Sequence, residues 1–495
     1  MSRGASCLLL ALALVACEGA DDPREATVAS VLAEADEALI RSRPLLVEGK
    51  YVRMANDPYA FWRATVPLFR RDAEDPDLEI GRTAYPAGVL PLAIGDAHVE
   101  NFGTLRAADG TFALEPNDFD GADRFPYHWD LRRLTVGMAV AARLSNPDDP
   151  GARATATAAT ERIVAATARA YADAIVGFAD GAPRERVTDD GSMDPLPAIV
   201  TDLFRRSRRD EESRDELSQL TEFVDGVRRL RRGAIDPDDP ENVYLDLPEV
   251  ARDALPVTME IYRRTLIAPP PAEQLVVLDA ARELASGVAS WPRVRIIVLT
   301  RGPTDAPDDD LIFELKELAD SGSEGWIDPG VIADTVQGRV VVASRAAWAR
   351  PDAEPWWGVS TLLGMPVQIK LEAEMHKTLR VSRLDEEAGT PDELVLLGER
   401  LAWLLARIHA VPLDGVDTAG PIAAAIRDDV EGFVAQEVRV AMAYAAQEDA
   451  DWQHFRAALR RLGPRLGVPV DDRDQVSPDL RALYGTPVPP PEIME

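Results

Sequence analysis

The chain has 495 residues, of which 54 are Lys or Arg and 85 are Asp or Glu, so its formal net charge is −31. Hydrophobic residues make up 46% of the sequence and charged residues 28%, which excludes a disordered, collagen-like or coiled-coil chain and is typical of a soluble globular protein. The length suggests about three structural units, or one two-lobed enzyme with a large insertion. Because nucleic acids are bound mainly through Lys and Arg, the acidic balance argues against a nucleic-acid partner.

Both cysteines of the chain, Cys7 and Cys17, lie near its start, which excludes a disulfide framework in the folded body. Residues 6–16 form an apolar stretch of signal-peptide length that is too short for a transmembrane helix. Its ending, Leu14-Val15-Ala16-Cys17, resembles the lipobox of bacterial lipoproteins, in which the cysteine is diacylated and becomes the new N-terminus. The resemblance implies a signal peptide over residues 1–16, lipidation of Cys17, and an extracytoplasmic protein anchored to membrane lipid through its acyl chains.

Helical periodicity covers much of the chain. Apolar residues recur at spacings of three and four, which predicts helices over residues 25–40, 152–178, 199–232 and 393–411. The third of these segments is densely charged in both signs, as on a solvated face. The C-terminal part is predicted to be helical throughout, with a Pro-rich tail from Thr486.

Strand periodicity appears in two regions. Short apolar runs at residues 88–94 and 111–114 each lead into a polar loop. Beyond the break at residues 266–271 (LIAPPP) the period changes to two, which predicts a small antiparallel sheet with strands at residues 294–300, 311–316, 339–343 and 367–371. Along the second of these strands, Glu314 and Lys316 would share one face and the apolar residues the other. The predicted fold class is therefore α+β.

Two polar segments hold the densest set of reactive side chains: residues 95–103 (GDAHVENFG) and residues 117–120 (NDFD). Each follows a predicted strand, so the two loops could converge on one cation. A cation of the magnesium type prefers carboxylate and amide oxygens, which Asn101 and Asp118 supply. Asp96 could then take a proton from a hydroxyl that lies beside a metal-bound phosphate.

These segments resemble the motifs of aminoglycoside- and choline-kinase-like phosphotransferases. Residues 95–101 resemble their Brenner-type loop, residues 117–120 resemble their Ile-Asp-Phe-Asp strand end, and residues 129–134 (WDLRRL) are similar to the Asp-Leu helix that follows. The resemblance implies Mg²⁺ and ATP, or another phosphoryl donor, as cofactors. It assigns the base to Asp96 and the metal to Asn101, Asp118 and Asp120.

Several of these side chains have a second interpretation. Asp120 is either a second metal ligand or a solvated carboxylate. His98 is either a metal ligand or a structural residue that hydrogen-bonds the loop backbone, and the structural role is favoured. Asp130 and Arg63 are assigned a structural role near the site.

A closer match is the bacterial domain-of-unknown-function family 2252, which the chain resembles from about Lys50 to His409. The opening pattern of that family is matched at Arg53-Met54, Pro58, Phe61 and Arg63, with Ala64 in place of a glycine. The acidic loops precede the strand-rich segment, which is the reverse of the order in ordinary kinases. The resemblance therefore implies a two-lobed, protein-kinase-like fold that is circularly permuted and carries a large helical insertion.

The resemblance also places a nucleotide site. Lys316 stands where kinases have the lysine that neutralises nucleotide phosphates; a lysine on an exposed edge strand is the alternative. Gly287 and Ser290 are what remains of a glycine-rich phosphate loop, in which glycines let backbone amides approach phosphate. Pro292 departs from that pattern because proline has no amide hydrogen.

The predicted organisation is a signal peptide (1–16), a tether and first helix (17–45), a catalytic-loop segment (46–145), a helical insertion (146–271), a small sheet lobe (272–385) and a C-terminal helical region (386–495). Three functions stay open. The first is Mg-dependent phosphoryl transfer to a small-molecule hydroxyl. The second is an inactive kinase-like binding or scaffold lipoprotein for a small molecule or protein, since little ATP is found outside the cytoplasm. The third, a metallophosphoesterase, is disfavoured because the other histidines lack that class's motifs.

Overall fold

The computed structural model describes residues 22–144, 150–191, 193–213, 215–236, 239–284, 286–304, 306–318, 330–384, 387–470, 483 and 493. The predicted signal peptide, Cys17 and nearly all of the predicted Pro-rich tail lie outside these residues. Within them the chain is a mixture of helices and antiparallel strands, which confirms the α+β class.

The helices are α1 (Pro23–Ala35), α2 (Glu37–Ser42), α3 (Pro44–Asn56), α4 (Pro58–Ala64), α5 (Val66–Glu74), α6 (Tyr127–Leu144), α7 (Pro150–Ala179), α8 (Ala198–Arg209), α9 (Asp215–Leu220), α10 (Glu249–Thr265), α11 (Val336–Ala347), α12 (Pro391–His409), α13 (Ala419–Ile426) and α14 (Val430–Leu462). The strands are β1 (Leu92–Ala93), β2 (Phe102–Arg106), β3 (Phe112–Pro116), β4 (Asp123–Arg124), β5 (Val187–Thr188), β6 (Thr221–Val224), β7 (Val227–Leu230), β8 (Gly233–Asp236), β9 (Asp239–Asp246), β10 (Val277–Leu284), β11 (Arg295–Thr300), β12 (Leu311–Glu317), β13 (Gly358–Leu362) and β14 (Met365–Leu371).

Seven strands form one antiparallel sheet in the order β13, β14, β12, β11, β10, β9, β8. One face is apolar: Phe313 and Leu315 of β12 pack with Met259 of α10 in a continuous core. Glu314 and Lys316 lie on the opposite face, as the period of two predicts. Since β8 and β9 belong to this sheet, it begins upstream of the predicted boundary at residues 266–271.

The largest apolar core joins the hairpin β2–β3 to several helices and meets the edge of the large sheet at Val359 of β13. The predicted helices over residues 152–178 and 393–411 are confirmed as α7 and α12, and they pack against each other in this core. Leu397, Leu401 and Leu404 of α12 are fully buried there. No helix among the described residues is long and apolar enough to cross a membrane.

Two sequence predictions assigned the wrong element. Residues 339–343 lie within helix α11, so the strand predicted there is wrong. A short run of valines fits either period, and here Val336 and Val340 share a buried helical face. The hydroxyl of Thr335 caps the helix by accepting a hydrogen bond from the backbone N–H of Gly338 (3.0 Å).

The helix predicted over residues 199–232 ends at Arg209, and its last part is the hairpin β6–β7. The hairpin turns at Asp225 and Gly226, which both have positive φ angles of 52° and 78°. Asp-Gly is a strong signal for a two-residue hairpin turn. The helix was predicted through this turn because the surrounding residues are densely charged, as on a solvated helical face.

Two further predictions are correct only in part. The helix predicted over residues 25–40 is interrupted at Asp36, whose carboxylate accepts hydrogen bonds from Nζ of Lys50 (3.0 and 2.9 Å) in the protein interior. Of the strand predicted over residues 88–94, only the two residues of β1 are a strand. Pro91, which directly precedes β1, has no N–H to donate to a neighbouring strand.

Candidate functional site

The hairpin β2–β3 brings the two acidic motifs together. Phe102 at the start of β2 pairs with Pro116 at the end of β3, so the residues before β2 and those after β3 lie at the same end of the hairpin. We call residues 95–101 the Asp96 loop and residues 117–120 the Asp118 turn. The backbone N–H of the first residue of this turn donates to the backbone oxygen of Asn101 (3.1 Å), which joins the two segments.

Asp130, on helix α6, fixes the start of the Asp96 loop. Its carboxylate accepts hydrogen bonds from the backbone N–H groups of Ile94 (2.7 Å) and Gly95 (2.9 Å). Gly95 has a φ of 77°, and a Cβ there would collide with the backbone oxygen of Gly121. The loop therefore depends on a glycine at this position and on the buried carboxylate of the helix.

Asp96 is held by three neighbours. Its Oδ1 accepts a hydrogen bond from Nε of Arg133 (2.7 Å), a fully buried side chain that stacks 3.7 Å from the centroid of the Trp62 ring. Its Oδ2 lies 3.5 Å from Nε2 of His98. Its backbone oxygen accepts from the side-chain amide of Asn101 (2.8 Å). The hydrogen bond from Arg133 to Oδ1 thus fixes the orientation of the carboxylate, and Oδ2 is the more weakly bonded of its two oxygens.

Burial shifts the pKa values of both titratable groups in this loop. Burial raises the pKa of Asp96, and the opposing charge of Arg133 does not cancel the rise. Burial and the charges of Arg63 and Arg133 lower the pKa of His98 well below its usual value, so the ring is neutral. Nδ1 of His98 accepts from the backbone N–H of Glu100 (3.1 Å), which leaves the ring proton on Nε2. Nδ1 is therefore hydrogen-bonded within the loop and Nε2 lies beside Asp96, which favours the structural role of His98.

Lys316 reaches the Asp118 turn from the polar face of the large sheet. Its Nζ lies 3.2 Å from Oδ2 of Asp118 and 2.7 Å from Oδ2 of Asp120. Burial alone would raise the pKa of Asp118. The ammonium group of Lys316 and the backbone N–H of Asp120 lower it by more, so the net shift of this pKa is downward. Lys316 is only 7% exposed, so it is not a solvated edge-strand lysine.

The oxygen atoms around this turn fit a magnesium ion. Asp118 and Asp120 supply carboxylates, and Oδ1 of Asp120 is buried without a hydrogen-bond partner among the described residues. Asn101 bonds through its amide nitrogen, which makes its Oδ1 the atom that could face a cation. Hard oxygen donors of this kind are the ligands that Mg²⁺ prefers. In the described part of the chain, no three or more His, Cys, Asp or Glu side chains are grouped as a metal site, so this donor set depends on the amide.

Glu100, which the sequence motif contains without an assigned role, bridges two arginines at the end of the Asp96 loop. Its Oε2 lies 2.7 Å from Nη1 of Arg63 and 3.1 Å from Nη1 of Arg380, and its Oε1 accepts from the backbone N–H of Val381 (2.9 Å). Burial alone would raise the pKa of Glu100, but Arg63, the backbone N–H of Val381 and Arg380 lower it by more. The ion pair with Arg380 spans 280 residues, so no local pattern could have indicated it.

A first cavity, of about 470 Å³, lies between the polar face of the large sheet and the hairpin β2–β3. Asn117 lines it on the hairpin side, and Glu283, Arg295, Glu314 and Lys370 line it on the sheet side. Its volume is within the usual range for small-molecule sites. Burial raises the pKa of Glu283 to about 7, although the charge of Arg295 opposes the rise. The sheet face of this cavity therefore carries charges of both signs.

A second cavity, of about 660 Å³, adjoins the Asp96 loop at Tyr59 and Glu100. Gly287 lines this cavity, with a φ of 80°. The hydroxyl of Ser290 lies over Gly287 so closely that a Cβ on the glycine would strike it. The two residues suggested for a phosphate loop are thus in contact, and the first of them faces the second cavity.

The comparison with protein families supplies one match. A family model described as an uncharacterized protein conserved in bacteria, domain-of-unknown-function family 2252, matches residues 41–458. The chain belongs to this family. The match confirms the membership predicted from the motifs and extends beyond the predicted span of Lys50 to His409 at both ends. It includes the Asp96 loop, the Asp118 turn and Lys316. No curated protein and no solved structure matches the chain.

Proposed function

We propose that the protein transfers a phosphoryl group from a nucleoside triphosphate to a hydroxyl group of a small molecule. One observation carries the proposal: the Asp96 loop, the Asp118 turn and Lys316 converge at the end of one hairpin. A base, an acidic turn with unbonded oxygen and a lysine are the recurring parts of phosphoryl-transfer sites. The pKa values of Asp96 and Asp118 are also displaced in opposite directions, as in sites where two carboxylates have different roles.

In this proposal Asp96 is the general base. Oδ1 is bonded to Arg133, so Oδ2 accepts the proton of the acceptor hydroxyl. The hydroxyl oxygen forms a bond to the γ-phosphorus while the bond from that phosphorus to the bridging oxygen breaks. The electron pair of that bond leaves with the nucleoside diphosphate. Arg133 holds the carboxylate in place during this step and does not itself touch the substrate.

Asn101, Asp118 and Asp120 would hold Mg²⁺, and Lys316 would bind phosphate oxygens. When bound, the ion neutralises charge on the phosphate groups and orients them. With the ion held by Asp118 and Asp120, Lys316, which pairs with both carboxylates, would be released to bind the nucleotide phosphates. The first cavity would hold the nucleoside, because it runs along the sheet face that carries Lys316.

The architecture proposed for this reaction is a circularly permuted, two-lobed, kinase-like fold. The large sheet with Lys316 would be the smaller lobe, and the hairpin β2–β3 with its helices the larger one. In chain order the Asp96 loop precedes β12, which agrees with a permuted arrangement.

We further propose that the protein is a lipoprotein, acylated on Cys17 and held to a bacterial membrane on its extracytoplasmic side. The lipobox-like sequence before Cys17 supports this. Labelling of growing cells with radioactive palmitate should label the wild-type chain and not the Cys17→Ala variant. Equal labelling of both would contradict the proposal.

An inactive binding protein is the second candidate. It is favoured by the pairing of Lys316 with two carboxylates, because these charges stabilise one another without a ligand. Such a protein would bind a small molecule or a protein partner at this site and would show no turnover. A metallophosphoesterase receives no comparable support from the geometry of His98.

The test of the phosphotransferase proposal is the thermal stability of the full chain with Mg-ATP, Mg-GTP, Mg²⁺ alone or no ligand. A nucleotide at a hundred times its dissociation constant should add about 2.7 kcal/mol of stability. We expect a magnesium-dependent rise in the midpoint temperature that Asp118→Ala abolishes. The control is Asp77→Ala, which changes an aspartate that is 96% exposed and should leave the rise intact. The absence of any rise with either nucleotide would contradict the proposal.

A further inference from the structure

The second cavity is unusually rich in arginine for a chain with a net charge of −31. Three guanidinium groups line it, against the two carboxylates of Asp57 and Glu100. The lining residues on which the inference depends are Arg53, Tyr59, Arg63, Glu100, Ser286 and Arg380. The cavity is therefore a local region of positive charge beside the Asp96 loop.

Glu100 bridges Arg63 and Arg380 but occupies only some of their N–H donors. Its Oε2 forms an ion pair with one nitrogen of Arg63 and accepts a hydrogen bond from one nitrogen of Arg380, and its Oε1 accepts from a backbone N–H. A guanidinium group has five N–H donors, so both arginines retain donors after this contact. Nε of Arg63 is buried and has no hydrogen-bond partner among the described residues. A buried donor without an acceptor is costly, which points to a ligand that supplies one.

Tyr59 gives an independent indication. Its side chain is 4% exposed, and its hydroxyl has no hydrogen-bond partner among the described residues. The ring packs edge-on against His98 of the Asp96 loop, with 6.3 Å between the ring centroids. Tyr59, with its unpartnered hydroxyl, thus lies in the same wall of the cavity as Arg63 and Arg380.

The position of the cavity relates it to the proposed reaction. Tyr59 packs against His98, and Glu100 belongs to the Asp96 loop, so the cavity lies beside the loop that carries the proposed base. Ser286 and Arg380 line both cavities, so the two adjoin there. A ligand in the second cavity can therefore approach a nucleotide in the first one at Ser286 and Arg380.

We propose that the second cavity is the acceptor subsite and that it binds a small hydroxyl compound carrying a phosphate or carboxylate group. This inference rests on the phosphotransferase proposal for its role, but not for the binding of the anion. Arg63 and Arg380 bind the anionic group through paired N–H donors, as guanidinium groups do with phosphate and carboxylate. The hydroxyl of the same compound points towards Oδ2 of Asp96. The anionic group is thus a positioning contact and the hydroxyl is the reacting group.

The test is the affinity of the full chain for inorganic phosphate and for acetate, measured by calorimetry without magnesium or nucleotide. We expect at least one of the two anions to bind, and we expect Arg380→Gln and Arg63→Gln each to weaken that binding about tenfold. Arg380 is 49% exposed, so its substitution tests the contact without a risk to folding. Arg383→Gln is the matched control, because Arg383 is an exposed arginine of the same segment that lines only the first cavity.

The outcomes separate this inference from the phosphotransferase proposal. If neither anion binds, or if binding depends on Arg383 and Lys316 instead of Arg63 and Arg380, the acceptor subsite is refuted, even if Mg-ATP stabilises the protein. If the anion binds through Arg63 and Arg380 but no nucleotide does, the anion site stands and the phosphotransferase proposal fails.

Discussion

Asp96→Asn should reduce phosphoryl transfer to a small residual rate while leaving the folded protein and its nucleotide binding intact. An asparagine at this position has the same shape, and its oxygen can still accept the hydrogen bond from Arg133. It cannot take a proton from the acceptor hydroxyl. General-base catalysis contributes about two to four orders of magnitude, so the transfer rate should fall by that factor.

The rate should be measured with an acceptor found by screening anionic hydroxyl compounds, with Asp77→Asn as the control. Because burial raises the pKa of Asp96, the wild-type rate should fall on the acid side at a higher pH than an ordinary aspartate would give. The sign follows from the role: the base works only when ionised, so the rate is lost as pH falls through the raised pKa. A wild-type rate in Asp96→Asn would exclude Asp96 as the base.

Arg132→Met should cause the largest loss of stability near the site. Arg132 and Glu437 are both fully buried, and they form two hydrogen bonds of 3.0 and 2.8 Å; Arg132 also donates to the backbone oxygen of Ile80 (2.6 Å). Removal of one partner leaves a buried carboxylate without its counter-charge, which costs about 3–5 kcal/mol of unfolding free energy. Helix α6, which contains this arginine, also carries Asp130 and Arg133.

The unfolding free energy should be measured with urea. Arg143→Met is the matched control on the same helix: its side chain is 31% exposed and pairs with the exposed Asp449. An exposed pair of this kind contributes at most about 1 kcal/mol. The double variant Arg132→Met, Glu437→Met should recover much of the loss, because no buried charge remains. Equal stability of Arg132→Met and Arg143→Met would show that the buried pair does not stabilise α6.

Local sequence patterns were sufficient to predict the long helices and strands and to find the two acidic motifs. The leucine spacing of α12 follows directly from its buried face. Every residue of β12 is buried, and Glu314 and Lys316 alternate with apolar residues because successive side chains of a strand point to opposite faces of the sheet. The valine run at residues 339–343 fitted both periods, and only its packing decided for a helix. For such short segments the tertiary environment determines the structure.

In the candidate site, too, local patterns identified some residues, whereas the long-range contacts depend on the fold. Asp96, Asn101 and Asp118 could be named from their spacing, because the hairpin that joins them is short. The contacts of Glu100 with Arg380 and of Lys316 with Asp118 span 280 and 198 residues. Pairings at such distances follow from the fold and not from any local motif.

The most direct test of the proposed phosphotransferase is a ³¹P NMR experiment with the full chain, Mg-ATP and the anionic hydroxyl compound that its second cavity binds. The proposal predicts a new phosphate-ester resonance and a matching amount of nucleoside diphosphate, both reduced to a small residual amount with Asp96→Asn and absent with Asp118→Ala. Unchanged nucleotide resonances in the presence of the wild-type protein, with neither binding nor product, would contradict it.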